Sequence, residues 1–495
     1  MERLNFETLK SHLWKSADIL RGYIDAADYK NYIFGLLFLK RLSDVFDEEV
    51  KRIIADTANK KIAYEDHDYH DFFVPKKARW NYLKSLTQNI GEAINKANDF
   101  LEEENPESLE GVLSTVDFND KDRLPDHILS QLINHFSMIN LGNADLEKPD
   151  VLGDAYEYLI AQFASSAGKK GGEFYTPKEV VELLVEILDP SEGMQICDPA
   201  CGSGGMLIQS VAHLKDKKQN VKNISLFGQE INVGTWAICK MNLLLHGLQN
   251  AQIKRCDTLR EPQLLDKGQL KKFDMVIANP PFSLKNWGYE QALSDPYRRF
   301  RFGIPPKGYA DYGFVQHMIS TIKPNGKVGV VLPHGILFRG GAEGRIRKGI
   351  IEENLLEAVI GLPSKLFYGA GIPACLFIIN RDKPKKRKGK VFFLYGANDY
   401  LDGKKQNKLR KQDIDKIVDA FREYKTVKKY CRPVTLDEIR ENEYNLNITR
   451  YIDITEEEKR IDIQKTIDEL KKLKKEYQKV EGKVFDYLRE LNYKV

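Results

Sequence analysis

One stretch of the sequence reads as a strand, a glycine loop and the start of a helix: Gln195-Ile196-Cys197-Asp198-Pro199-Ala200-Cys201-Gly202-Ser203-Gly204-Gly205. Glycines permit a positive φ and let the backbone pass close to a ligand, and the N-terminus of the helix adds partial positive charge. Such a loop can cradle a pyrophosphate, but the carboxylate of Asp198 at the strand tip is a poor neighbour for phosphate. The stretch therefore predicts a ligand site, and Asp198 suits a ligand that carries a positive amine or a sulfonium.

Strand and helix patterns alternate around this stretch, from about residue 151 to residue 400. Helical patterns at 177–188 and 232–246 fit between short β-rich runs. This alternation predicts an α/β domain with a mostly parallel sheet, and such sheets bind ligands at the carboxyl ends of their strands. The predicted strands are 194–197, 224–229, 252–256, 273–278, 327–332, 356–360 and 375–379.

Two further acidic residues follow predicted strands. Glu230 ends the run 224–229, where an acidic residue can hold two ribose hydroxyls. Asp257 ends the run 252–256 and could accept the amine of an adenine ring. Gly202 and Glu230 are 28 residues apart, more than the usual ~20, so we expect an extended connection between them. Three acidic residues at successive strand tips indicate one shared binding site.

A rigid polar turn, Asn279-Pro280-Pro281-Phe282, ends the apolar strand 273–278. Two consecutive prolines fix φ and remove two amide donors. The side-chain oxygen of Asn279 and the carbonyl of Pro280 could accept both hydrogens of an exocyclic amine, which would free the nitrogen lone pair to attack. Phe282 offers an aromatic face on which a planar base could stack. The alternative is an ordinary strand-ending turn with Phe282 in the core, and the full tetrapeptide directly after a buried strand disfavours it.

Helical patterns flank the α/β region. Residues 32–42 are apolar nearly all round, as in a buried helix. Residues 455–495 read as one long helix with a near-heptad apolar seam that needs a partner helix, although Gly482 interrupts it. In the first 150 residues apolar side chains recur at the steps of one helix face: Leu13, Ala17, Leu20 and Ile24. We predict a helical N-terminal domain at 1–150, the α/β domain at 151–430, and a linker with a docking helix at 431–495.

The composition bounds the class of protein. The chain has 495 residues, of which 42% are apolar and 10% aromatic, enough for a packed core and about three domains of ~150 residues. Its six cysteines show no paired spacing, so we expect no disulfide framework. The apolar run at 32–39 is too short for a bilayer span of ~20 residues, and the start of the chain lacks the apolar stretch of a signal peptide. We expect a soluble, reduced, cytoplasmic protein without membrane contact.

Together these motifs resemble the modification subunit of a type I restriction–modification system, an S-adenosylmethionine-dependent adenine-N6 DNA methyltransferase. The resemblance extends over essentially the whole chain. It also rests on Gly172-Glu173-Phe174-Tyr175-Thr176-Pro177-Lys178 and on Asn445-Leu446-Asn447-Ile448-Thr449-Arg450-Tyr451. It implies a Rossmann-like methyltransferase domain in which Asn279, Pro280, Pro281 and Phe282 handle the target base. It also implies that the cofactor is held by Glu173, Phe174, Tyr175, Thr176, Pro177, Lys178, Gly202, Ser203, Gly204 and Glu230.

The implied reaction is methylation of the N6 amine of adenine in duplex DNA. A sulfonium methyl is electrophilic without help, and the sequence shows no clustered His/Cys ligand set, so we expect no metal. The target adenine must be flipped out of the duplex and stacked on an aromatic ring. Catalysis then consists mainly of positioning and of favourable electrostatics at the nitrogen, without a strong general base.

The implied assembly has further subunits. The sequence contains no Gly-x-x-x-x-Gly-Lys-[Ser/Thr] stretch and no convincing metal-nuclease constellation, so we assign ATP-driven translocation and DNA cleavage to a separate restriction/translocase subunit. Little chain remains for target recognition, which predicts a specificity subunit that docks on the C-terminal helix. The resemblance implies two copies of this chain for each specificity subunit. Two alternatives stay open: methylation of a protein glutamine amide, and a non-catalytic assembly scaffold.

Two basic regions are candidate phosphate contacts. Residues 381–430 hold 17 basic and 7 acidic residues, against a net charge of +4 for the whole chain, and 383–390 looks like an exposed turn. A phosphate-contacting patch and a solvated loop are equally good interpretations of it. The second region follows the polar turn and predicts a DNA-facing loop whose three arginines hold backbone phosphates; a charged loop over a Phe-lined core is nearly as good an interpretation. It comprises Arg298-Arg299-Phe300-Arg301-Phe302 and Tyr309.

Overall fold

A computed structural model describes residues 3–25, 28–148, 150–167, 175–367, 373–404, 406–455 and 463–494. The chain forms two compact units that meet in sequence between Ile452 and Asp453. The predicted division at residues 150 and 430 stays a prediction. In the described ranges, no helix is both long enough and apolar enough to cross a membrane.

The N-terminal part is helical as predicted. The first helix begins where the side chain of Asn5 accepts a hydrogen bond from the Thr8 amide at 2.9 Å, an N-cap that satisfies a free donor. Leu13, Ala17 and Leu20 of this helix and the following Ile24 are buried, which confirms the predicted face. The predicted buried helix at 32–42 is also confirmed. These helices are α1 Phe6–Leu20, α2 Tyr29–Thr57, α3 Lys60–Glu65, α4 Trp80–Lys84, α5 Ile90–Glu104, α6 Pro106–Leu109, α7 Asp126–Phe136 and α8 Val151–Ala167.

The central part alternates strands and helices. Its strands are β1 Gln195–Asp198, β2 Ser225–Glu230, β3 Gln252–Arg255, β4 Leu265–Asp266, β5 Gln269–Leu270, β6 Phe273–Ala278, β7 Ile322–Pro333, β8 Leu356–Gly361, β9 Ala374–Asn380, β10 Lys390–Tyr395 and β11 Cys431–Thr435. Its helices are α9 Lys178–Leu188, α10 Gly205–Asp216, α11 Val233–Leu245, α12 Tyr289–Ala292, α13 Asp311–Thr321, α14 Gly341–Glu352, α15 Lys411–Glu423 and α16 Leu436–Glu441.

Nine of the strands in the described ranges form one mostly parallel sheet in the order β11-β10-β8-β9-β7-β6-β1-β2-β3. Five neighbouring pairs are parallel, and β9 and β11 supply the antiparallel pairs. The predicted fold class is therefore confirmed, and all seven predicted strands are present within a few residues of their predicted ends. The prediction missed β10 and β11, which add two strands at one edge of the sheet.

Successive residues of the central strands pack into two different cores. Ile196, Met275 and Ile277 belong to the core formed with the N-terminal helices and α9–α11. Cys197 and Val276 belong to the core formed with α13 and α14. Because neighbouring side chains of a strand point to opposite faces, both faces of the sheet are covered. A parallel sheet that is buried on both faces leaves its strand ends as the place for a ligand.

The C-terminal unit contains one long helix among its described residues, α17 Ile463–Glu490. It runs through Gly482 without a break. Its apolar ridge is exposed along the whole length, for example 55% at Leu470, 63% at Leu473 and 60% at Val480. The predicted long helix is thus confirmed, and within its own unit its apolar seam is uncovered.

Candidate active site

The order of the strands brings two predicted motifs side by side. From β1 the chain proceeds outward through β2 and β3, and then returns to place β6 on the other side of β1. The point where the strand order reverses opens a crevice at the carboxyl ends of the strands. Asp198 ends β1 at this point, and Asn279 follows β6 directly. Sequence reasoning predicted both residues at strand tips but did not predict that β1 and β6 are neighbours.

A cavity that is open to solvent lies in this crevice. Seven of the predicted cofactor and base residues line this cavity, and they come from three segments of the chain. They are Tyr175, Thr176, Lys178, Asp198, Gly202, Ser203 and Asn279. Pro177, Gly204, Pro280, Pro281, Phe282, Glu230 and Asp257 are close in sequence or structure but do not line it. Glu173 and Phe174 lie outside the described residues.

The glycine loop has the backbone that the sequence predicted. Gly202 has φ +54° and Gly204 has φ +85°, values that favour glycine over any residue with a Cβ. A Cβ on Gly204 would also lie 3.0 Å from the Cys239 sulfur. Cys197 and Cys201 are free thiols and are buried. The loop therefore passes tightly between β1 and α10, and its residues Gly202 and Ser203 face the cavity.

The three predicted acidic residues follow three adjacent strands. Asp198 is buried and its Oδ1 accepts from the Ala200 amide at 3.0 Å. Glu230 accepts from the amides of Gly202 at 3.1 Å and Asn232 at 2.8 Å. Asp257 accepts from two amides of the following turn, each at 3.0 Å. Asp198 thus faces the cavity, Glu230 holds the loop beside it, and Asp257 lies farther along the sheet edge.

Burial controls the charge of these acids. Loss of solvation is the main cause that raises the pKa of Asp198 to about 8; the hydrogen bond from the Ala200 amide opposes the shift, and the nearby Glu230 carboxylate contributes to it. Burial also raises the pKa of Glu230, against hydrogen bonds from the Asn232 and Gly202 amides. A cation in the cavity would favour the charged form of both acids. The site is therefore suited to a positively charged ligand.

We predict that the raised pKa of Asp198 makes stability pH-dependent. The folded chain holds this proton more tightly than the unfolded chain, so the free energy of unfolding falls as pH rises from about 4 to about 8. The Asp198→Asn substitution removes the titration. The difference in free energy of unfolding between the variant and wild type should therefore increase in favour of the variant by up to about 3 kcal/mol from pH 6 to pH 8, because one pKa unit is worth about 1.4 kcal/mol. Urea unfolding at both pH values measures the gain.

Asp266→Asn is the control for this experiment, because Asp266 is exposed on the β4–β5 hairpin. Its stability relative to wild type should not change between pH 6 and pH 8. The prediction would be contradicted if the free energy of unfolding of Asp198→Asn differed from that of wild type by the same amount at pH 6 and at pH 8.

The polar turn meets the segment before α9. Asn279 Nδ2 donates to Thr176 Oγ1 at 2.9 Å, and these residues are 103 positions apart in the chain. Asn279 Oδ1 is buried and has no hydrogen-bond partner among the described residues. A buried acceptor without a partner is costly, and it is satisfied when a donor enters the site. The turn thus presents one fixed acceptor at the cavity wall.

Phe282 lies behind this acceptor. Its ring is half-buried and packs edge to face on Phe367, with the ring centroids 5.9 Å apart and the planes at 66°. The next residue, Ser283, has φ +52°, a left-handed conformation that costs a residue with a Cβ. The chain turns here, and the half-buried Phe282 side chain packs against the core that the N-terminal helices and α9–α11 form with the sheet.

Sequence reasoning missed four residues that line the cavity and lie outside the quoted motifs: Glu157, Val181, Met206 and Gln209. Burial raises the pKa of Glu157, although His246 and Lys178 oppose the shift. The Lys178 ammonium lies 3.9 Å from its carboxylate. The sequence did contain a signal for Glu157, because it is an acidic residue within the otherwise apolar stretch from Tyr156 to Leu159. Glu157 connects the last N-terminal helix to the cavity.

The arginines after the turn do not all face outward. Arg299 is buried, bonded to Asp295 at 2.7 Å and to the carbonyls of Thr258 and Leu259 at 2.9 and 2.7 Å. The prediction that it contacts phosphate is wrong, because a guanidinium with five fixed donors is satisfied inside the fold. Arg301 pairs with Glu353 on the surface. A phosphate contact of exposed Arg298 stays a prediction.

The predicted exposed basic turn at 383–390 is also partly wrong. Lys383 is 2% exposed, and its ammonium donates to the carbonyls of Leu356 at 2.9 Å and Lys390 at 3.1 Å. Arg387 pairs with Glu357 at 2.9 Å. These two cations hold the edge of the sheet, since a buried cation requires fixed acceptors. Lys385, Lys386 and Lys388 remain exposed.

Known proteins share this sequence and fold. A family model described as N-6 DNA Methylase matches residues 147–460, and one described as HsdM N-terminal domain matches residues 9–136. The type I restriction enzyme MjaIX methylase subunit of Methanocaldococcus jannaschii is 34% identical, over 98% of this chain and 91% of that protein. The HindI methylase subunit of Haemophilus influenzae is 34% identical, over 78% of this chain and 91% of that protein.

A solved structure gives the same result. The crystal structure of the type I restriction-modification system methyltransferase subunit from Streptococcus thermophilus has a TM-score of 0.79 and 32% identity, over 91% of this chain and 100% of that chain. The doubly wound sheet, with a cavity and a polar turn at its reversal point, is that of a DNA methyltransferase. The chain belongs to the N-6 DNA methylase family, as a methylase subunit of the type I restriction–modification systems. This confirms the resemblance inferred from the motifs.

Proposed function

We propose that this chain transfers the methyl group of S-adenosylmethionine to the N6 amine of adenine in duplex DNA. The observation that carries the proposal is the buried Oδ1 of Asn279 beside the cavity, which has no hydrogen-bond partner in the part of the chain that the structure describes. It is an acceptor in a place where an amine hydrogen would satisfy it. The family match makes DNA the substrate class, and the acidic cavity next to the turn supports a positively charged methyl donor. A DNA substrate also makes the cytoplasm the expected compartment.

The residues around the cavity fit S-adenosylmethionine. Two acids, Asp198 and Glu157, line it, and Glu230 lies behind Gly202. The positive φ of Gly202 lets the backbone approach a ligand closely. We assign Asp198 and Glu157 to the positive end of the cofactor and Glu230 to its ribose hydroxyls. When bound, S-adenosylmethionine would supply an electrophilic methyl group on its sulfonium.

The chain's own part in the reaction is to position the amine. Asn279 Oδ1 would accept one amine hydrogen, and the proline-stiffened turn would keep that acceptor still. Thr176 orients the Asn279 amide by accepting a hydrogen bond from its Nδ2, and this leaves Asn279 Oδ1 to accept from the amine. Phe282 would stack on the extruded base. Fixed dipoles at the reacting nitrogen lower the barrier without reorganising during the reaction.

We also propose that sequence specificity comes from a partner subunit that docks on α17. The helix has an exposed apolar ridge at near-heptad spacing, including Ile467, Leu470, Leu473 and Val480. A narrow ridge of this kind is buried by one or more partner helices. A complete assembly would then contain a second copy of this chain and a separate restriction/translocase subunit.

The test is transfer of a labelled methyl group. The chain is purified with and without a specificity subunit encoded beside its gene, and incubated with methyl-labelled S-adenosylmethionine and unmethylated duplex DNA. We expect label in DNA, recovered as N6-methyladenine, only when both subunits are present. Label in a glutamine-containing protein, or cofactor binding without transfer to any substrate, would support the two alternatives and overturn the proposal.

A further inference from the structure

Two buried carboxylates, those of Asp311 and Glu343, and the partly exposed guanidinium of Arg339 form a group next to the polar turn. Asp311 at the start of α13 is 1% exposed, and its Oδ1 accepts from the Ser283 amide at 3.0 Å. Its Oδ2 lies 3.4 Å from Nη1 of Arg339, and the same Nη1 lies 3.3 Å from Glu343 Oε1. The Arg339 guanidinium stacks on Tyr309, 4.4 Å from the ring centroid. We call Asp311, Arg339 and Glu343 the turn clamp.

The segment that carries Arg339 is itself held by several contacts. The Arg339 amide bonds to the Gly335 carbonyl at 3.0 Å, and Arg347 donates to the carbonyls of Arg339 at 2.9 Å and Ile336 at 3.0 Å. The hydroxyl of Tyr312 donates to the same Ile336 carbonyl at 3.0 Å. A Cβ on Gly335 would lie 2.4 Å from the guanidinium of Arg339, so glycine leaves the space that this side chain uses.

The clamp joins two connections at the carboxyl edge of the sheet. Ser283 and Asp311, the first residue of α13, both belong to the connection between β6 and β7, and Arg339 belongs to the connection after β7. The bond from Asp311 holds the left-handed residue Ser283, immediately after Phe282. A buried carboxylate that accepts from a backbone amide and is paired with a guanidinium is a rigid support. A displacement of about 1 Å at a reacting group can cost on the order of 10²-fold in rate.

We propose that the turn clamp positions Asn279 and Phe282 for the target base. Asp311 and Arg339 are positioning residues, since they act through Ser283 and do not line the cavity. The inference rests on the proposed function, because positioning matters only if the turn holds a base. It assigns a role in catalysis to residues that belong to none of the sequence motifs.

The first readout is independent of activity. A nitroxide is attached at Leu284→Cys, next to Ser283, in a Cys256→Ser background, because the other five cysteines are buried. We expect Asp311→Ala to increase nitroxide mobility. Asp311→Asn retains an oxygen that accepts from the Ser283 amide, so its effect should be smaller. Arg301→Gln removes only a surface ion pair and should leave the spectrum unchanged.

The second readout is methyl transfer by the complex with its specificity subunit. We expect Asp311→Ala to lower kcat on the order of 10²-fold, with the Kd for S-adenosylmethionine within about threefold of wild type, and Asp311→Asn to restore part of the rate. Unchanged nitroxide mobility, or a kcat within threefold of wild type, would overturn the clamp. If wild type transfers no methyl group to DNA, the proposed function fails, and the nitroxide spectra still decide whether the clamp holds the turn.

Discussion

Asn279→Ala is expected to lower methyl transfer to DNA by on the order of 10²–10³-fold, the range measured when one fixed polar contact to a reacting centre is removed. The substitution deletes the unpartnered Oδ1 that we assign to the amine hydrogen and the Nδ2 that bonds to Thr176. The acids and glycines of the cavity are untouched, so the Kd for S-adenosylmethionine should stay within about threefold. Single-turnover transfer and calorimetric binding measure the two quantities separately.

Two variants make this experiment specific. Lys285→Ala changes an exposed side chain three residues after Phe282 and should transfer at the wild-type rate. Thr176→Val removes the acceptor of the Asn279 amide without touching its oxygen, and should give an intermediate loss. A transfer rate of Asn279→Ala within threefold of wild type would show that the turn does not hold the amine, and the mechanism proposed here would then be wrong.

Asp295→Ala is expected to lower the free energy of unfolding by about 3–5 kcal/mol, because it leaves a buried guanidinium without its counter-charge. Asp295 and Arg299 have side chains that are 4% and 2% exposed. The other hydrogen-bond partners of Arg299 include the carbonyl oxygens of Thr258 and Leu259 and the Nδ1 of His317, and none of these groups carries a negative charge. Urea unfolding monitored by circular dichroism provides the measurement.

The control is the surface pair of Arg301 and Glu353, two residues farther along the same arginine stretch. Both side chains are more than 40% exposed, and exposed pairs contribute about 0–1 kcal/mol. Glu353→Ala should therefore change the unfolding free energy by less than about 1 kcal/mol. If both variants lost the same free energy of unfolding, Arg299 and Asp295 would not form an internal ion pair. The predicted contact of Arg299 with DNA would then have to be tested again.

The arginine and lysine residues show where local patterns mislead. Arg299 and Lys383 lie in runs of basic residues that look exposed, yet both are buried against carbonyl or carboxylate oxygens. Three of these acceptors, the carbonyls of Thr258, Leu259 and Leu356, lie 27 to 41 residues away in the chain. A charge pattern cannot reveal such partners. The basic residues before β10 also drew attention away from the apolar run of this strand, Val391-Phe392-Phe393-Leu394, so that it was not predicted.

The local sequence was sufficient for seven of the nine strands described in the large sheet and for part of the candidate site. Apolar runs with polar ends predicted seven strands, and the strand-tip residues Asp198, Glu230 and Asn279 lie where ligands bind in such sheets. Glycine at 202 and 204 predicted a positive φ, which both residues have. These properties are local, because they depend on side-chain periodicity and backbone sterics over a few residues.

Only the tertiary structure decided which of these elements meet. The sequence by itself determined an α/β domain between helical flanks, a glycine loop and a proline-stiffened turn. Folding placed β6 beside β1, joined Asn279 to Thr176, brought Glu157 to the cavity, and set Asp311 and Arg339 behind the turn. The reason is that strand order and buried ion pairs depend on contacts between segments far apart in the chain, which no local pattern encodes.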